Sequence, residues 1–229
     1  MNNLYSLDST EKIKMHVESS SVWEVILGIA AYTHKQMRHT FEQDTKWSSW
    51  AKELPTSLSN RLIEIEETNF WYGLIMLQAK FSAPTLQEFS SSLAAITSNT
   101  FYETLLPYKN RECEEDRKRT AEKYNDKTRF IHYSKHFSNH AYLEDYIVNL
   151  SRYQFEELCS LYQAIVEEWY QWVSGNEEWN LWMRALKFEE KQYQSLEVKN
   201  PAEQIKQISG RENYIPEPSI WAIKLIPHI

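Results

Sequence analysis

Residues 151–173 read SRYQFEELCSLYQAIVEEWYQWV. Leu158, Tyr162, Ile165, Trp169, Trp172 and Val173 recur in it at the spacing that lines one side of an α-helix with apolar side chains. Ser151 and Gln154 have the form of a capping box ahead of this stripe, and Gly175 is the expected stop. A helix this long, with two tryptophans on its apolar side, needs other helices against it. The expected fold is therefore mainly α.

The pattern extends in both directions. Downstream, EEWNLWMRALKFEEKQYQSL (177–196) predicts another helix, and PAEQIKQIS (201–209) a short one capped by Asn200 and ended by Gly210. Only then does the period change to two: in SIWAIKLIP (219–227) Trp221, Ile223 and Leu225 alternate with Ala222 and Lys224 as in a strand, with NYIP (213–216) as a candidate partner. Upstream, Ser20 and Ser21 are plausible caps for VWEVILGIAAYTHKQMR, and a second short helix carries Trp47 and Trp50 up to Pro55. The stretch from Thr56 to Phe81 suggests a pair of helices or one that becomes fully buried. Thr85 with Glu88 forms a capping box for the helix after Pro84, and Asn99 is a candidate cap for the next.

The architecture expected from this path is a multi-helix fold of two packed helical groups, residues 1–107 and 130–210. A charged connector joins them at 108–129, and an extended segment follows at 211–229. The connector, YKNRECEEDRKRTAEKYNDKTR, has almost nothing to bury and reads as a solvated helix or a mobile connection. Only four glycines occur in 229 residues, which argues against glycine-rich phosphate loops and the tight turns of sandwiches and barrels.

Composition narrows the function classes. A net charge of -7 gives no general attraction to phosphate backbones or anionic lipid. The apolar runs VILGIAA and FWYGLIML are far shorter than the roughly 20 residues that span a bilayer. Cys113 and Cys159 are too few and too far apart for a disulfide framework or a zinc knuckle. A reduced, cytoplasmic protein follows as the expectation.

No nucleophile elbow, Walker loop or dinucleotide fingerprint is present in the sequence. His132, His136 and His140 are spaced four and four, so a continuous helix would align them for a shared metal. Ser138 and Asn139 look like an N-cap that would break this ladder, and with no acidic ligand at short spacing the expectation is exposed surface histidines and no metal. His34 reads as a partly buried histidine on the first apolar stripe, and His39 as a cation near that helix's end. Aromatic residues are the compositional excess, with nine Trp, fourteen Tyr and nine Phe. Space-filling between helices is the plainer reading. Trp169, Trp172, Trp179 and Trp182 are the candidates for a ligand-binding surface.

The order of segments resembles the long helical N-terminal domain of a branch of ArsR-type winged-helix transcriptional regulators. The matching stretches are SSSVWEVILGIAAYTH, LPTSLSNRLIEIEET, PTLQEFSSSLAAITSNTFYETLL and FEELCSLYQAIVEEWYQW, leading through ISGR into IWAIKLIP. The resemblance implies a regulatory and dimerisation part, with a possible small-molecule effector, a homodimer as the working form, and contact with DNA only through a winged helix beyond Ile229. It implies no catalytic residue, no cofactor and no membrane. The alternative is a stand-alone helical ligand-binding protein or an enzyme without a recognisable motif.

Overall fold

Ten α-helices and two short strands make up the structure, a computed structural model that describes residues 14–34, 52–194 and 222–227. The fold is mainly α with a small two-stranded parallel sheet. The elements are β1 (Lys14–Val17), α1 (Ser21–Thr33), α2 (Thr56–Thr68), α3 (Trp71–Phe81), α4 (Leu86–Ala95), α5 (Ser98–Leu105), α6 (Glu114–Glu122), α7 (Lys127–Ser134), α8 (Leu143–Leu150), α9 (Phe155–Ser174), α10 (Trp179–Gln194) and β2 (Ala222–Leu225). Of the tryptophan helix before Pro55 the structure describes only the end, helical at Lys52 and Glu53; Trp47, Trp50, the 201–209 helix, NYIP and His39 lie outside the described residues.

Two compact units are present: residues 21–177, and residues 1–20 with 178–229. In the larger unit α1 lies against α2, α3 and α9, while α9 also meets α2 and α4. α5 joins α3 to α6, and α7 is flanked by α6 and α8. The charged stretch 108–129 thus lies inside this unit and contains α6, with Thr120 and Ala121 fully buried. Two small side chains on one face suffice to seat a helix whose other faces are charged.

Aromatic side chains fill the centre. Phe70, Phe101, Tyr146 and Tyr162 are fully buried, and Phe70 meets the rings of Tyr146 and Tyr162 edge-on at 6.1 and 5.9 Å. Edge-to-face contacts of this kind add to the burial of large apolar area. Two of the glycines are notches for such rings. A Cβ on Gly28 would lie 3.1 Å from the Trp169 indole nitrogen, and one on Gly73 would overlap the Tyr162 hydroxyl.

Local signals fix several helix ends. The apolar stretch 56–81 breaks into two helices at Asn69, whose left-handed backbone (φ 60°) ends α2. The Asn69 and Phe70 amides turn back to the Glu66 and Ile65 carbonyls, and the Phe70 ring drops into the core, as in a Schellman ending. Thr85 caps α4, its hydroxyl accepting from the Glu88 amide. Two expected caps are displaced. Thr97, not Asn99, caps α5, and the capping box of α9 runs from Gln154 to Glu157, so Ser151 instead closes α8.

In the smaller unit β2 falls where the alternation of 219–227 predicts it, but its partner is β1, paired in parallel with Val17 opposite Leu225. The Glu18 amide extends the ladder to the Leu225 carbonyl at 3.0 Å, and Lys224 pairs with the Glu18 carboxylate at 2.8 Å. α10 is tied to this edge by Gln194, whose amide donates to the Val17 carbonyl, and by Lys187, which donates to the Ser19 carbonyl.

Candidate functional site

The four expected ligand-surface tryptophans form two pairs, one in each unit. Trp169 is buried and packs edge-on against Tyr32 at 5.8 Å, while its neighbour Trp172, 5.3 Å away, is half-buried. Trp179 is buried beside the half-buried Trp182 at 6.4 Å. Trp172 lines a shallow groove of about 300 Å³ with Pro55, Ser57, Leu58, Glu168 and Gln171. One Glu168 oxygen accepts from Arg61 Nε at 2.9 Å, and the other is buried without a hydrogen-bond partner among the described residues.

A second constellation lies where α6 meets α7. Asp126 caps α7 by accepting from the Thr128 amide, and Phe130, Tyr133 and Phe137 form its buried side. The Tyr133 hydroxyl donates to the Pro107 carbonyl at 2.6 Å and anchors that side. Burial pushes the Tyr133 phenol above its ordinary range, so it stays a neutral donor. α7 continues directly into a 3-10 turn, Lys135–Phe137, so the chain is helical through His136.

Ser138 is therefore not an N-cap but follows the end of this run, so His132 and His136 lie within a helical stretch rather than ahead of one, and His140 lies outside it. α8 starts only at Leu143, and His140 turns its ring to Tyr142 at 4.7 Å, away from any ladder. What joins His132 and His136 is Asp116, from the first turn of α6. Its Oδ2 lies 3.2 Å from His132 Nδ1 and 3.1 Å from His136 Nε2. All three donor atoms lie within 4.8 Å of one another. His136 and Asp116 are half-buried, with side chains 32% and 27% exposed, whereas His132 is 74% exposed.

α6 is held in place on its other side. Arg117 donates to the Glu103 carbonyl of α5 and, through Nε and Nη2, to both Glu114 oxygens at 2.8 Å. These hydrogen bonds hold the Glu114 carboxyl below its ordinary range against the opposing effect of burial. Arg117 is bound to Glu114, and Lys135 to Glu144 at 2.6 Å, so both cations point to other carboxylates.

No family model, curated protein or solved structure matches the chain. The site therefore rests on its own geometry. Asp116 is the residue that the sequence reading missed, because it lies sixteen positions before His132 and enters through the packing of two helices. His34, as expected, is half-buried, with its ring edge-on to Trp71 at 4.7 Å. No described helix is long and apolar enough to cross a membrane.

Proposed function

We infer that the chain is a regulatory and dimerising module of a bacterial ArsR-type transcriptional regulator, one that holds an effector rather than running a reaction. The observation that supports this reading is the fold: helices up to Gln194 and then an extended strand, the sequence of elements that the resemblance implies. In this reading the protein is cytoplasmic, works as a homodimer, and reaches DNA through a winged helix outside these residues. Light scattering should then give twice the chain mass, and the chain alone should bind duplex DNA weakly and without sequence preference. A tight, sequence-specific complex formed by these 229 residues would overturn that division of labour.

The Trp172 groove favours a second reading, a stand-alone ligand-binding protein. The half-buried Trp172 ring beside the Glu168 carboxylate gives the groove an aromatic and acidic lining, which suits a small organic cation. Tryptophan quenching by simple amines that is lost in Glu168→Gln would support it. Unchanged emission across such a panel would remove it.

A further inference from the structure

We propose that Asp116, His132 and His136 bind one divalent transition-metal ion of the zinc type, clasping α6 to the end of α7. Two imidazole nitrogens and one carboxylate oxygen form a borderline donor set, which favours Zn²⁺, Co²⁺ or Ni²⁺ over Mg²⁺ and Ca²⁺. Around a tetrahedral ion with ligand distances near 2.0–2.1 Å, neighbouring donors lie about 3.3 Å apart. The two oxygen–nitrogen edges, 3.2 and 3.1 Å, already have that length.

The remaining edge, between the two nitrogens, lies within 4.8 Å, and a rotation of the His132 side chain, 74% exposed, brings it to tetrahedral length. Asp116 and His136 are the fixed part of the site. The first sits on a helix anchored through Arg117, and the second on the turn whose Phe137 is buried. In the ion-free protein the Asp116 oxygen accepts from ring N–H groups. Binding requires those same nitrogens as lone-pair donors, so in the bound form each ring keeps one proton on its outward-facing nitrogen and any second proton leaves to water. Three protein ligands leave a fourth position open to water or to a small anion.

The proposal is independent of the regulator reading, since it concerns only what these three side chains hold. The test uses the full chain without an affinity tag, stripped with a chelator and titrated with Zn²⁺ by calorimetry and with Co²⁺ by visible absorption. One equivalent should bind, with a Co²⁺ ligand-field band and a rise in Tm. Asp116→Asn, His132→Ala and His136→Ala should each weaken binding about tenfold or more. His140→Ala should bind as the wild type does. His132→Ala alters an exposed side chain, and circular dichroism of each ion-free variant verifies that the helices remain. Absence of saturable binding, wild-type affinity in His132→Ala, His136→Ala or Asp116→Asn, or a comparable loss in His140→Ala would each overturn the proposal.

Discussion

Replacing Gly73 by alanine should destabilise the protein even though alanine is the better helix former by about 1 kcal/mol. Gly73 lies inside α3, and a Cβ there would overlap the Tyr162 hydroxyl while lying 2.9 Å from Tyr162 Cζ and 3.0 Å from the Tyr146 hydroxyl. Neither ring can retreat cheaply. Both are fully buried, Tyr162 between Phe70 at 5.9 Å and Phe101 at 6.2 Å, and Tyr146 donates to the Leu105 carbonyl at 3.1 Å. Overpacking a core of this kind costs about 1–3 kcal/mol, and the overlap here belongs at the upper end. After the helix-propensity gain, a net loss of about 2 kcal/mol is expected.

Tyr162→Phe removes the overlapping oxygen. That oxygen faces the Tyr146 hydroxyl without the geometry of a hydrogen bond, and it has no other partner among the described residues. The single change should therefore be neutral or stabilising, because a buried hydroxyl without a partner costs free energy. Combined with Gly73→Ala it should restore about 1 kcal/mol, a coupling typical of residues in contact. Recovery stays partial because Cζ remains close. Urea unfolding of the four proteins, with midpoints compared at constant m-value, measures the cycle. Additive effects, or a Gly73→Ala protein more stable than wild type, would show that the notch is not needed.

Three further outcomes follow from the same structure. Asn69→Ala should lower stability by about 1 kcal/mol, because alanine strains the left-handed backbone at φ 60°, whereas Asn69→Gly should cost nothing measurable in thermal unfolding. Arg117 hydrogen bonds hold the Glu114 carboxyl below its ordinary 4.5, so their contribution is complete above that pH and is lost as pH falls through the lower folded-state value. Arg117→Met should accordingly flatten the acid limb of the stability curve below pH 4.5, and an unchanged limb in urea titrations would contradict the pairing. Burial pushes the Cys159 thiol up to about 12, so at pH 8 it should resist alkylation in the folded protein and react after denaturation. Rapid labelling of the half-buried Cys159 at pH 8, mapped by mass spectrometry, would contradict the raised thiol.

Local order carried the helices and several of their ends. The stripe from Leu158 to Val173, the Thr85 cap, the Gly175 stop and the alternation ahead of Leu225 each depend on neighbours within a few residues. Periodicity and capping therefore suffice to reveal them. The displaced caps at Thr97 and Gln154 show the limit of that reading. Several polar residues near each helix start can accept from an amide, and packing selects the one that leaves the apolar side facing inward.

Long-range features had no local signature. β2 pairs with a strand some two hundred residues earlier, and a four-residue alternation does not name its partner. Gly28 and Gly73 are notches only because Trp169, Tyr146 and Tyr162 reach them from other helices. The four-residue spacing of His132 and His136 was visible in the chain, but the carboxylate between them was not. Asp116 looks like one more charge in a charged run until the buried Thr120 and Ala121 seat α6 beside α7. The helices with an apolar stripe were legible in the chain because periodicity is a property of neighbours, whereas α6, mostly charged, and α7, ahead of an apparent cap at Ser138, were not. Which side chains meet depends instead on how apolar faces from distant segments are buried together, and no stretch of neighbours carries that information.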